Sequence, residues 1–304
     1  MLHQAQPHPR SIMVSTGKGG TGKSTVAAHL AGHCAATGER TLLVCVTTQE
    51  DDDLGIAFGH GRSQGAQELR NGMSLYRSVV HGEPLEPVRD VRPGLDVVPG
   101  GDGVTKLLRV LLGQQAGLEP QANLHAVQSL ARSLAPIAAD YDRIVFDTAP
   151  ENEPLEQLAG SAAAWLIMPT RSDSSSVLGL RRINRNLQIV RNQANGLLRT
   201  GAAFLYGSDS RSTIVHSDVK RRIQQLLGSG VPVLSTVVGY REKAAVYARE
   251  HGLLFGEIDP YQGHQRNHCS PDGKPREHCS APQNITALAE DMHMLVREIL
   301  QYCK

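Results

Sequence analysis

Fifteen residues near the amino terminus, reading SIMVSTGKGGTGKST from Ser11 to Thr25, constrain this chain more than any other stretch. An apolar run leads into G-x-x-x-x-G-K-[ST], carried by Gly17, Gly22, Lys23 and Ser24, and a helical pattern follows at once. Glycines let successive backbone N–H groups turn toward an anion, and the start of a helix adds the positive end of its dipole. A lysine closing such a loop can reach the β- and γ-phosphates of a nucleotide, and the hydroxyl after it can ligate Mg2+. A strand that runs through such a loop into a helix is a building block of parallel sheets covered by crossover helices.

The remaining pattern agrees. Apolar strand-length runs at 41–46, 95–99, 141–147, 164–169, 201–206 and 231–238 alternate with helical patterns at 24–37, 104–112, 123–138, 177–194, 213–227 and 285–303. The expectation is an α/β fold, a doubly wound, mostly parallel sheet flanked by helices. Residues 1–10 read as a flexible tail and 11–304 as a single domain, with a polar insertion at 259–283 and a closing helix at 285–303. With four Phe, seven Tyr and one Trp, the core must come from Ala, Val, Leu and Ile. The five cysteines are an odd number and do not suggest a disulfide framework. The opening MLHQAQPHPR lacks an apolar stretch of the signal-peptide kind, and no apolar run approaches membrane-spanning length. A soluble cytoplasmic protein is expected.

Lys18 adds to the loop. The stretch from Lys18 to Thr25, K-G-G-T-G-K-S-T, resembles the deviant Walker A loop of the ParA/MinD family of ATPases. YDRIVFDTAP, from Tyr141 to Pro150, resembles that family's Walker B and switch II segment, with Ala149 at the first of two usual prolines. LIMPT at 166–170, GLDVVPG at 94–100 and 73–82 resemble further family segments in the right order. The resemblance covers about 11–259. It implies an ATPase that holds ATP and Mg2+ and forms a nucleotide-sandwich homodimer. Gly19, Gly20, Thr21, Gly22, Lys23, Ser24 and Thr25 would cradle the phosphates, Ser24 and Asp147 would organise the metal, and Lys18 would cross to the partner subunit. It further implies non-specific DNA binding and an adaptor protein that stimulates hydrolysis, in plasmid or chromosome partition. Cargo positioning, a conjugation-accessory role, or a dimerisation switch with little hydrolysis are the alternatives. The chain departs from the family where D-x-D-x-Q is usual, because Cys45-Val46-Thr47-Thr48-Gln49 stands there. A threonine can hydrogen-bond water but cannot take its proton as a carboxylate does at neutral pH. ATP binding is therefore expected with weak or partner-dependent hydrolysis. The acidic run 50–53 is either a substitute or a solvated loop.

The formal net charge of +1 hides an asymmetry. Between Arg171 and Arg222 lie ten basic and three acidic residues, a local +7. Arg181, Arg182 and Arg185 fall within about one helical turn, and Lys220, Arg221 and Arg222 form a second cluster. Such a stripe suits DNA phosphates with steep salt dependence, or is an ordinary solvated face. The few aromatics give no base-stacking platform. Within 262–280, His264, His268, Cys269, His278 and Cys279 are either zinc ligands without a C-x-x-C spacing or part of a solvated loop. No cysteine lies between Cys45 and Cys269, which disfavours a cluster of the iron-protein type. In the closing helix, Ile285, Leu288, Met292, Leu295 and Ile299 form one apolar stripe, while Glu290, Asp291 and Glu298 make the other face unattractive to anionic lipid. Packing on the domain is expected rather than membrane binding.

Overall fold

The computed structural model describes residues 6–48, 71–115, 120–208, 213–239, 241–258 and 284–304. In chain order these form β1 (Ser11–Val14), α1 (Lys23–Ala36), β2 (Thr41–Val46), α2 (Met73–His81), β3 (Val88–Arg92), β4 (Leu95–Val98), α3 (Asp102–Gln115), α4 (Pro120–Val127), α5 (Ser129–Leu134), β5 (Arg143–Thr148), α6 (Glu153–Ala162), β6 (Trp165–Thr170), α7 (Ser174–Gln193), β7 (Arg199–Ser208), α8 (Thr213–Leu227), β8 (Val233–Gly239), α9 (Glu242–His251) and α10 (Ile285–Tyr302). The expected acidic run 50–53 and the His/Cys-rich stretch 262–280 lie outside the described residues. So does Gln49.

The sheet runs β3-β4-β2-β5-β1-β6-β7-β8, and every pair is parallel except β3 with β4. The doubly wound, mostly parallel α/β architecture is the expected one. Its central strands are short apolar runs buried on both faces, so alternate residues enter opposite layers. Ile12 and Val14 of β1 pack with α1, α9 and α10, whereas Met13 faces the layer built from α5, α6 and α7. With aromatics scarce, Phe146 and Phe204 are joined mainly by Leu and Ile among the largest wholly buried side chains. Next to each other at the centre, β1 sends α1 across one face toward β2, and β5 sends α6 toward β6 on the other side. Crossovers that diverge in this way open a crevice above the carboxyl ends of the two strands.

Several elements depart from the sequence expectation. The helix expected over 123–138 is two helices, α4 and α5, followed by a 3-10 turn at Ala138–Asp140. The charged edge strand β3 and the helices α6 and α9 are additions. A two-residue Pro93-Gly94 turn, with Gly94 at φ +75°, folds β3 back antiparallel onto β4. Before β1, Arg10 pairs with Glu39, and the His8 carbonyl accepts from the Ser11 N–H (3.0 Å).

Helix α10 buries Ile285, Leu288, Met292, Leu295 and Ile299 in the core, as the stripe implied. Two acids of its polar face are not merely solvated. Glu298 accepts from the backbone N–H groups of Ser235 (2.8 Å) and Thr236 (2.9 Å), and Asp291 from that of Gly239 (3.0 Å). From the other side, the Lys220 ammonium donates to the Ser235 carbonyl (2.6 Å). The backbone of the edge strand β8 is thereby occupied by side chains of α10 and α8. No helix among the described residues is long and apolar enough to cross a membrane.

Candidate functional site

Helix α1 begins without a side-chain cap and without an acidic residue in its first turn. Its N-cap is Gly22 at φ +84°, which a residue with a side chain adopts only under strain. The first N–H groups of a helix have no intrahelical acceptor, so an uncapped start beside a lysine is a site for an anion. Close approaches fix the loop. A Cβ on Gly17 would fall 2.1 Å from the carbonyl oxygen of Gly179 on α7, and one on Gly22 would fall 2.2 Å from the Tyr206 ring. The Thr21 hydroxyl donates to the Lys18 carbonyl (3.3 Å), and the Lys23 ammonium donates to that same carbonyl (3.2 Å).

Lys23 is almost wholly buried, and burial pushes its amine below the ordinary value against the opposing carboxylates of Asp147, Glu156 and Glu151. Asp147 is itself wholly buried at the carboxyl end of β5, in register with Val14 of β1 and Cys45 of β2. It lies directly before Thr148, whose hydroxyl donates to the Val14 carbonyl (3.0 Å).

A cavity of about 370 Å3 opens over this loop. Gly20, Gly22, Lys23, Ser24 and Thr25 line its phosphate end, and Thr148, Ala149, Pro150 and Asn152 form one wall. Gly19, Thr21, Lys18 and Asp147 are adjacent to the cavity rather than part of its lining. Thr47 and Thr48 line it too, at the end of β2. Thr47 is nearly wholly buried, and its hydroxyl finds no hydrogen-bond partner among the described residues. The position where the family resemblance implies a carboxylate thus holds a threonine, whose hydroxyl is buried beside Gly100.

The far end of the cavity is what the sequence did not reveal. Tyr206 and Gly207 from the end of β7, Gly239 from β8, Arg241 before α9, Glu242, Ala245 and Arg249 on α9, and Leu288 on α10 close it. Tyr206 hydrogen-bonds with Thr25, and burial raises its phenol above the usual range. These residues come from three separated stretches, and only the sheet topology brings them together. Apolar surface, two guanidinium groups, a carboxylate and exposed backbone suit a flat heterocycle with polar edges.

Lys18 pairs within the chain. Its ammonium donates to Asp173 (3.0 Å) and to the Ser175 hydroxyl (2.7 Å). Asp173 is the N-cap of α7, accepting from the Ser176 N–H (2.9 Å) and from the hydroxyls of Ser175 (2.6 Å) and Ser176 (2.7 Å). Although burial opposes ionisation, these donors and Lys18 hold its carboxyl well below the usual range.

The basic stripe divides by environment. Arg181 and Arg185 are exposed on the outer face of α7. Arg182, between them, turns inward onto the wholly buried Glu156 (2.9 Å). Arg221 pairs with Asp218 one turn away, Arg222 donates to the Ser174 hydroxyl (3.3 Å), and Lys220 holds the edge of β8. A linear count of charge cannot separate an arginine facing water from one facing a buried acid.

Comparison with known proteins adds to this geometry. A model of the AAA domain family matches residues 9–200. The chain is 28% identical over 214 residues to the chromosome partitioning protein ParA of Myxococcus xanthus, covering 69% of each chain. It is 26% identical to the chromosome-partitioning ATPase Soj of Thermus thermophilus, over 73% of this chain and 78% of that one. Among solved structures, an ATP complex of McdA from Cyanothece superposes with a TM-score of 0.70 over 97% of both chains at 16% identity. MinD from Pyrococcus horikoshii, complexed with Mg-ADP, gives 0.59 over 94% of this chain and 95% of its own, also at 16% identity. With its glycine-rich loop, uncapped α1 and doubly wound sheet, the chain belongs to the ParA/MinD family of P-loop ATPases.

Proposed function

We propose that this protein is a cytoplasmic, ParA-like ATPase that binds ATP with Mg2+, dimerises around the nucleotide and hydrolyses it slowly, in plasmid or chromosome partition. The observation that carries this reading is the pairing of an open α1 start and Lys23 with threonines, not carboxylates, on the β2 side of the same cavity. The donor set fits a nucleotide triphosphate. The backbone of residues 19–25 and Lys23 would hold the phosphates, and Ser24 and Asp147 would hold Mg2+, which neutralises charge on the phosphate oxygens when bound. Lys18 would leave Asp173 to reach the phosphates of a second copy.

Slow turnover follows from Thr47. A general base contributes about 10²–10⁴-fold, and a hydroxyl cannot accept the proton of the attacking water at neutral pH. The dimer would therefore be long-lived and would depend on a partner protein for release. Arg181 and Arg185 are the residues proposed to meet DNA phosphates, with Arg221 and Arg222 near the ends of their weak surface contacts.

Phosphate release by the wild type and Thr47→Asp, with and without DNA, tests the chemistry. Thr47→Asp should turn over ATP at least about tenfold faster. Ordinary turnover by the wild type that survives alanine at residues 50–53 would refute the slow-hydrolysis reading. Light scattering with ATP, ADP or no nucleotide tests assembly, with an ATP-dependent dimer expected for the wild type and lost in Lys18→Ala.

A further inference from the structure

An ion pair between the wholly buried Glu156 and the half-buried Arg182 joins the wall of the cavity to the basic helix. Thr148, Ala149, Pro150 and Asn152 line the cavity, and this stretch runs directly into α6. Asn152 caps that helix, its side chain accepting from the Leu155 N–H (3.4 Å) and its carbonyl from the Glu156 N–H (2.9 Å). Glu156 is wholly buried. Its carboxylate accepts from Arg182 (2.9 Å) and from the Asn186 side chain (2.7 Å), and Asn186 in turn accepts from Gln157 (2.7 Å). Arg182 and Asn186 both lie on α7, and Arg182 stands between the exposed Arg181 and Arg185.

The buried carboxylate of Glu156 cannot lose the half-buried Arg182 without being stranded in a medium that does not solvate it. When the first turn of α6 shifts, α7 therefore shifts with it as a shear of packed helices. The same helix is held against the phosphate loop at two further points, Gly17 on Gly179 and Lys18 on Asp173. The Nε of Arg182 is buried and has no acceptor among the described residues, so this arginine retains an unspent donor with which to satisfy a second arrangement. Lys23 lies within electrostatic reach of both Glu156 and Arg182.

We propose that Glu156 and Arg182 are positioning residues that pass the state of the nucleotide from residues 148–152 to the outer face of α7, setting how Arg181 and Arg185 are presented. This rests on the reading of the cavity as an ATP site. Arg182 is then a transmitter and not a DNA contact. In this proposal the pair serves as the two-state element that coupling between separate sites requires.

Hydrogen–deuterium exchange over 174–193, in the full chain without nucleotide, with Mg-ADP and with Mg-ATP, reads the coupling directly. The variants are Glu156→Gln, which is isosteric but neutral and keeps one of the two acceptor oxygens that Arg182 and Asn186 use, and Arg182→Met. In the wild type, ATP should slow exchange over 174–193 by about tenfold relative to ADP, within the usual range of coupling factors. Both variants should bind ATP within about twofold of the wild type yet show the same exchange with ATP and ADP. A structural role alone would lower the thermal midpoint and leave the ATP-to-ADP ratio intact. Retention of that ratio in folded Glu156→Gln overturns the proposal, as does a wild type that binds ATP without any response in α7. A wild type that binds no ATP refutes the ATP reading instead, a result that the binding measurement identifies separately. DNA titrations under the same conditions give a second readout. Arg181→Ala should weaken binding in both nucleotide states, whereas Glu156→Gln should make the two states alike.

Discussion

Helices α1 and α7 both begin at the carboxyl ends of central strands, beside the same loop, and their first turns are built in opposite ways. The chain supplies α7 with its own anion, Asp173, and surrounds it with two serine hydroxyls, a backbone N–H and Lys18. It gives α1 none. A glycine N-cap, no first-turn acid and a buried lysine leave that helix start to be completed from outside. The contrast teaches that an empty cap carries information only when its neighbours show that the fold can fill one. Lys18 connects the two, since it belongs to the loop of α1 and lies on the cap of α7.

The largest expected effect comes from removing the charge that α1 reserves for its ligand. Lys23→Ala should weaken ATP binding by about 1,000-fold, or ~4 kcal/mol, in equilibrium titration with a fluorescent ATP analogue, while the fold survives. If affinity falls less than tenfold, the open helix start is not the phosphate site.

Next comes what keeps α1 rigid enough to serve. The His29 ring pairs with the Thr25 carbonyl (2.8 Å) through one nitrogen and accepts the Phe255 N–H (3.0 Å) through the other, so it must be neutral. Burial pushes its pKa from 6.5 to about 4. In the unfolded chain the imidazole gains its proton first as pH falls. Its contribution is therefore complete above pH 6.5 and is lost between there and about 4, amounting to roughly 3 kcal/mol at about 1.4 per unit. Denaturant unfolding at pH 7.5 and pH 5 should show part of this loss, and His29→Gln should flatten that dependence.

A smaller effect is expected where the two helix starts meet. Gly17→Ala places a methyl group against the Gly179 backbone, and overpacking of this kind costs about 1–3 kcal/mol. Its thermal midpoint should fall and its ATP affinity with it. The smallest effect belongs to the filled cap. Asp173→Ala should cost about 1 kcal/mol in stability, the usual value of an N-cap. It should also free Lys18 and so shift the ATP-dependent monomer–dimer balance toward the dimer in light scattering. A shift toward the monomer would mean that Asp173 serves Lys18 in the dimer instead.

The phosphate loop was legible because its chemistry is local, with glycine, lysine and serine at fixed offsets between a strand and a helix. The parallel strands were legible for a related reason, since a strand buried on both faces must be an unbroken apolar run. Helix α6 escaped notice because its ten residues hold only two large apolar side chains, although Leu155, Leu158, Ala159 and Ala162 recur at helical spacing and Asn152 and a proline at the first turn are a start signal. Strand β3 escaped because V-R-D-V-R has an edge strand's charge and not a core strand's apolarity. The far end of the cavity was invisible because Tyr206, Arg241 and Leu288 share no local pattern and meet only through the sheet. The inward turn of Arg182 depends on one acid 26 residues earlier, a contact that a count of charge along the chain cannot contain.

The carboxylates of Asp291 and Glu298, with Lys220 opposite, occupy the outer backbone of β8. A sheet grows by adding a strand to a bare margin, and at this margin three backbone N–H groups and one carbonyl are already engaged by side chains. A strand added on that side would first have to displace these side chains. A second copy docking on the helical faces or at the cavity mouth, as the proposed dimer would, leaves this margin untouched.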